Sequence, residues 1–80
     1  MPRFYFDMHE GSTCVRDETG LELSTVMAAE QEAARAAGEI ARDLLADGDL
    51  QKIRSELRDE RRSPLAAITV SVEIKRIRCR

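Results

Sequence analysis

The chain has 80 residues, 42% of them hydrophobic and 35% charged, with a formal net charge of −2 and a pI near 5.4. This length predicts a single domain over residues 1–80, burying roughly 60–65% of its unfolded surface around one small core. The apolar share excludes global disorder, the mildly acidic balance argues against general nucleic-acid binding, and no apolar run approaches a membrane span.

The charge is unevenly distributed. Residues 1–40 hold three basic side chains (Arg3, Arg16, Arg35) against eight acidic ones, whereas residues 51–80 hold nine basic against four acidic. Two readings follow: halves that attract each other within the chain or across a dimer, or a basic patch. The opening "MPRFYFDMHEG" lacks the apolar segment of a secretory signal, which makes the cytoplasm the expected compartment. In a reducing compartment Cys14 and Cys79 read as small hydrophobes rather than a disulfide.

Residues 3–9 alternate, with Phe4, Phe6 and Met8 on one face and Arg3, Tyr5, Asp7 and His9 on the other, the period of a half-buried strand. Residues 10–12 turn at Gly11, and 13–16 return as a second strand, so 3–16 reads as a hairpin. "DETG" at 17–20 is a further turn, and "LEL" at 21–23 a short extended piece. Ser24 and Thr25 offer N-cap hydroxyls to a helix over 25–46, whose apolar stripe is Val26, Ala29, Ala33, Ala37, Ile40 and Leu44. Glu30 and Glu32 fall early in it, in the sense the helix dipole favours. Gly38 is read as a close backbone contact, and Gly48 as the residue that ends the helix.

After the helix, Ile53, Ser55 and Leu57 alternate with Lys52, Arg54, Glu56 and Arg58, and the charged face suggests solvent or a sheet edge. "ERRSP" at 60–64 is a hairpin loop. Residues 65–77 are predicted as the longest strand, with Ala66, Ile68, Val70, Val72 and Ile74 inward and Ala67, Thr69, Ser71, Glu73 and Lys75 outward. The fold class is therefore α+β: a β-β-α-β-β domain with an antiparallel sheet and one amphipathic helix on one face. The second sheet face, carrying Tyr5, Asp7, His9, Thr69 and Ser71, is either solvated or turned to a partner.

An aliphatic–Arg–Asp–Glu tetrad occurs twice, at 15–18 and 57–60. A paired-carboxylate device would need burial or like-charge crowding around Asp17, Glu18, Asp59 and Glu60. The tetrads read instead as strand ends: Val15 and Leu57 as the last inward anchors, Arg16 and Arg58 outward, and each Asp opening an Asx-type turn of solvated loop acids. A metal site from Asp7, His9, Glu10, Cys14 and Cys79, or a nucleophile–base pair of Cys14 or Ser12 with His9, lacks the ligand number, spacing and cleft such chemistry requires. The expected protein thus has no cofactor, no metal and no catalysis. A basic stripe of Arg54, Arg58, Lys75, Arg76, Arg78 and Arg80 is the feature that nucleic acid would use.

The opening "MPRFYFDMHEG", the later "VRDETGLEL", the Ala/Glu-rich "EAARAAGEIARDLL" and the late "LRDERRSPL" together resemble a family of very short uncharacterised proteins of rhizobia and related alphaproteobacteria. The resemblance covers nearly the whole chain, and it implies no activity and no functional residue. Members often cap the helix with Asp, where this chain has Ser24 and Thr25, and many have Gly in the last hairpin loop, where it has "ERRSP". In layout the chain is also similar to antitoxin partner proteins of the HicB type. These readings order the expected functions: an interaction or regulatory module, as a homodimer or with a small protein partner; then a nucleic-acid-associated or antitoxin-like regulator using a basic C-terminal strand; then a small enzyme or metal carrier at His9 and Cys14.

Overall fold

A computed structural model describes residues 1–47, 52–72 and 75–78. The elements run β1 (Arg3–Glu10), β2 (Thr13–Val15), β3 (Leu21–Glu22), α1 (Val26–Ala46), β4 (Ile53–Arg58) and β5 (Pro64–Val70). All pairings are antiparallel, and the sheet order is β2-β1-β4-β5, with β3 pairing the first residues of β1. One helix packs against the sheet, so the α+β class holds. The hairpin joins His9 to Cys14, and β3 pairs Arg3 with Glu22.

Helix α1 starts where Thr25 Oγ1 accepts the Ala28 N–H at 3.0 Å, and its buried side is Ala29, Ala33, Ala37 and Ala41. Four alanines at a strict four-residue spacing let the helix lie close to the sheet. It rests on β4 and β5 and touches only the flank of β1. Two core clusters result. One joins Phe4, Ala29 and Leu57 with Phe6, Leu23 and Ala66; the other joins Ala37, Ala41 and Ile53 with Met8, Ile40, Leu44 and Val70.

Several expectations need correction. The last strand is shorter than 65–77, because its partner β4 begins at Ile53, which pairs Val70. Beyond that pair no described residue belongs to a strand. Ser71 therefore leaves the open face, Val72 is exposed rather than inward, and Lys75, Arg76 and Arg78 lie in exposed coil instead of a basic strand. Strand β4 is interior, flanked by β1 and β5, and its charged face is matched across the sheet rather than left at an edge. Val15 is 62% exposed, because β2 lies outside the reach of the helix. Val26 is likewise exposed at the helix start. The first helical turn has no acidic residue, so Glu32 and Glu39 act by pairing with Arg35 and not through the dipole. Gly38 has open space where a Cβ would stand. Gly48, Glu73, Ile74, Cys79 and Arg80 lie outside the described residues.

Ser55 is fully buried on β4 between the two clusters, and its hydroxyl has no hydrogen-bond partner. An unsatisfied buried hydroxyl costs about 1–3 kcal/mol, whereas an apolar group of similar size costs nothing comparable. Ser55→Ala is expected to raise stability by about 1 kcal/mol, read as a higher urea midpoint at unchanged slope; a lower midpoint would contradict this account of the core.

Candidate functional site

The open sheet face is built from the outward positions of β1, β2, β4 and β5. Their register places Cys14, His9, Arg54 and Thr69 in one row, Asp7, Glu56 and Ala67 in the next, and Tyr5, Arg58 and Pro64 in the third. Tyr5, Asp7, His9 and Thr69 thus share the face assigned to them from sequence.

Asp7 is the unexpected member. It lies on the open face but is only 5% exposed. Arg58 covers it, donating from Nε to Asp7 Oδ2 at 2.8 Å, from Nη1 to the Arg62 carbonyl at 3.2 Å and from Nη2 to Glu56 Oε2 at 2.9 Å. One planar guanidinium thereby ties two strands and the β4–β5 loop, and its hydrogen bond to Asp7 makes Arg58 hold its proton still more firmly than usual. Glu56 in turn pairs with Arg54 at 3.0 Å.

The other oxygen of Asp7 accepts the Asp17 N–H at 3.0 Å. Asp17 fills a gap in the sheet. Strand β2 pairs β1 only at residues 8–10 and β3 only at 3–4, and between them the Phe6 N–H finds Asp17 Oδ2 at 3.1 Å. Asp17 Oδ1 accepts the N–H groups of Thr19 and Gly20, both at 3.0 Å, which is the Asx-type turn read from "DETG". Gly20 sits at φ +75°, with the Phe4 carbonyl 3.0 Å from where a Cβ would stand, so only glycine fits. Partial burial disfavours the Asp17 charge. The backbone N–H groups of Gly20, Phe6 and Thr19 and the nearby Arg62 outweigh it, holding the carboxyl below its ordinary range.

The second tetrad forms the matching turn. Asp59 Oδ1 accepts the N–H groups of Arg61 and Ser63, both at 2.9 Å. No glycine is present there, and Arg62 itself takes the left-handed conformation at φ 63°. That backbone brings its guanidinium over the Tyr5 ring, 4.3 Å from the centroid, and its Nη1 donates to the Asp17 carbonyl at 3.1 Å. The two tetrads therefore meet: Arg58 and Arg62 of the second hold Asp7 and Asp17. Neither Asp17 nor Asp59 is the freely solvated loop acid expected from sequence. Leu57 is the buried anchor that was expected, whereas Val15 is not.

Beside this network lies an open depression of about 370 Å³ lined by Asp7, His9, Cys14, Arg16, Glu56 and Arg58. His9 Nε2 is 3.8 Å from Cys14 Sγ and 3.6 Å from Glu56 Oε1. Both neighbours approach the same ring nitrogen, whereas a nucleophile–base–carboxylate relay needs them on opposite nitrogens. Glu10 belongs to the other face of β1 by strand alternation. No cluster of three potential metal ligands occurs among the described residues. Of the proposed basic stripe, Arg54 and Arg58 are ion-paired with Glu56 and Asp7, and the coil at 75–78 does not join them in one strand. Glu56, Arg16, Asp17 and Arg62 belong to the site without having been singled out for it. "DETG" signals the turn made by Asp17, while the roles of the others depend on strand register.

The class defined by this geometry is a small antiparallel sheet with one helix behind it and an ion-paired polar face in front. The chain belongs to the family described as a domain of unknown function, DUF6894, whose model matches residues 3–71. No curated protein and no solved structure matches it. Among the described residues, no helix is long and apolar enough to cross a membrane.

Breaking a buried ion pair from one side costs about 3–5 kcal/mol. Arg58→Ala is expected to lower stability by about 3 kcal/mol, and Arg58→Lys to recover only part of it, since an ammonium cannot serve three acceptors in a plane. Urea unfolding of the two variants checks this; full recovery by Lys would reduce the fork to a simple charge. The depressed Asp17 carboxyl stabilises the fold above its unfolded pKa, about 3.9, and that contribution is lost as pH falls through its lower folded value. Asp17→Asn is therefore expected to be less stable than the parent at neutral pH and to lose less stability on acidification below about pH 4. Parallel melting curves for both proteins would show whether the gap narrows as required.

Proposed function

We propose that this chain is a non-catalytic protein-interaction module, acting in the cytoplasm of the alphaproteobacterial cells its opening motif implies and docking through the β5 side of its sheet. The observation that carries the proposal is the composition of that side. Strand β5 ends the sheet, and its seven residues, Pro64–Val70, include no charged side chain. Exposed edges are normally blunted by charge, by proline or by a bulge, because their free N–H and C=O groups invite another strand. Here Pro64 and the irregularity at Leu57/Arg58 guard only the first residues, and Leu65 is 41% exposed. The rest is an open template for β-strand addition, in which backbone bonds give affinity and alternate side chains give selectivity.

The ion-paired face beside it supports the same reading. Asp7, Arg58, Glu56 and Arg54 neutralise one another, so this surface forms a polar rim around a docking edge. The alternative, a nucleic-acid-associated or antitoxin-like regulator, draws on Arg76 and Arg78, which are exposed beyond β5. It is the weaker reading, because Arg54 and Arg58 spend their charge within the chain.

Size measurement in extracts of the native cell tests the module. The tagged chain is expected to migrate in a stoichiometric assembly well above the 9.0 kDa of the free chain, and the exposed-edge variant Ala67→Lys to fall back toward it. Migration of the parent chain as a free monomer would remove the interaction reading altogether.

A further inference from the structure

Independently of the docking edge, we infer that His9 and Cys14 form a two-donor site for a soft monovalent cation of the copper(I) class. The two residues are directly opposed in the β1–β2 hairpin, where Glu10 pairs Thr13 and leaves a two-residue turn at 11–12. Gly11 takes φ 56° there, so a tight turn fixes the register. The pairing brings His9 Nε2 within 3.8 Å of Cys14 Sγ. Metal bonds of about 2.0 Å to imidazole nitrogen and about 2.3 Å to thiolate sulfur together span up to about 4.3 Å. A single cation therefore bridges the two atoms without moving either strand.

The arrangement that defeats a catalytic relay favours chelation. A relay needs its neighbours on opposite ring nitrogens, whereas a chelate needs donors that converge, and the thiol converges on Nε2. The thiol proton is what the cation replaces. Cys14–SH and Cu⁺ give Cys14–S–Cu and one H⁺, with no change of oxidation state. The copper takes its second bond from the Nε2 lone pair, and the ring keeps its own proton on Nδ1.

The surroundings choose the class of ion. Asp7 and Glu56 line the same depression, but their oxygens are engaged by Arg54, Arg58 and the Asp17 backbone. With the hard oxygen donors taken, a nitrogen and a sulfur are what the site offers. Zinc and the hard divalent ions call for a larger ligand set, and no cluster of three occurs among the described residues. Copper(I) is satisfied by fewer donors in a linear or trigonal array, and soft thiolate selects it. Charge agrees: one thiolate neutralises one monovalent cation, whereas a divalent ion would leave excess positive charge beside Arg16 and Arg58. Cys14 is exposed and the depression, about 370 Å³, is open, so there is room for a third ligand from solution.

Anaerobic titration of the full chain against the copper(I) indicator bicinchoninate tests the site, in a Cys79→Ser background that leaves Cys14 as the sole thiol. One copper(I) per chain is expected, with the ultraviolet thiolate-to-copper band saturating at one equivalent. Affinity is expected to fall on acidification, as release of the thiol proton requires. Cys14→Ser is expected to remove the site. His9→Ala is expected to weaken it about a hundredfold, as much as the largest effect of an outer contact or more. His9→Gln, which keeps bulk and polarity without an imidazole, is expected to do the same. The His9 side chain is 33% exposed, so circular dichroism of both variants should match the parent. Zinc(II) offered alone is expected not to bind stoichiometrically. Unchanged copper(I) affinity in the His9 variants overturns the site, since a solitary thiol would then account for the binding. Zinc(II) bound as tightly as copper(I) overturns it too, as does a parent chain that takes no copper from the indicator.

Discussion

The carboxylate of Asp7 is the joint on which the rest of the sheet depends. It sits in the middle of β1, almost wholly removed from solvent, with one oxygen on Arg58 and the other on the backbone of Asp17. A buried carboxylate left unpaired is among the more costly defects a small domain can carry. Its two partners are therefore held in place by the same penalty that would follow from losing them. Arg58 brings β4 and the β4–β5 loop to the site, and Asp17 brings the loop that links β2 to β3. The interior pairing β1–β4 and the broken outer edge of β1 are thus closed by one acid.

The hydrophobic side of the sheet is built with small parts. An alanine stripe faces Ile53, Ser55 and Leu57, so helix and sheet come close but bury few large side chains. The fully buried side chains of greatest volume are Ile53, Leu57 and the unsatisfied Ser55. Such a core gives a modest margin, which makes the polar clamp on the opposite face matter more than it would in a larger domain. It also leaves β5 half covered by the helix and open along its outer side, where association with another strand would add what the core lacks.

The functional reading follows from the same division of labour. The polar face is occupied with holding the sheet: Asp7, Glu56, Arg54 and Arg58 are each committed to a neighbour, and the His9 ring meets Cys14 and Glu56 through a single nitrogen. Uncommitted hydrogen-bonding capacity lies at the β5 edge instead. Asp7, Asp17, Arg58 and Arg62 hold the sheet and its loops together, while the alanine, isoleucine, threonine and valine run of β5 is the part on which the proposed interaction reading rests.

Strand alternation in 3–9 and 53–58, the Thr25 cap, the alanine spacing and the two Asx-type turns were legible because each rests on residues within a few positions of one another. The sequence by itself therefore determined the fold class, the helix, which residues of β1 and β4 face the core, and that Asp17 and Asp59 open turns. Tertiary structure decided what depends on register and on where partners end. Only the pairing of Asp7 with Glu56 and Tyr5 with Arg58 turns an apparently solvated face into a clamp. Only the start of β4 at Ile53 stops β5 at Val70 and removes Ser71, Val72 and the basic coil from the sheet. The off-centre seat of the helix exposes Val15 while burying Leu57, although the two stand at the same place in a repeated tetrad. The left-handed turn at Arg62 joins those tetrads by carrying its side chain across to Tyr5 and Asp17. Local patterns specify which way a side chain points; what it meets there is set by residues about fifty positions away.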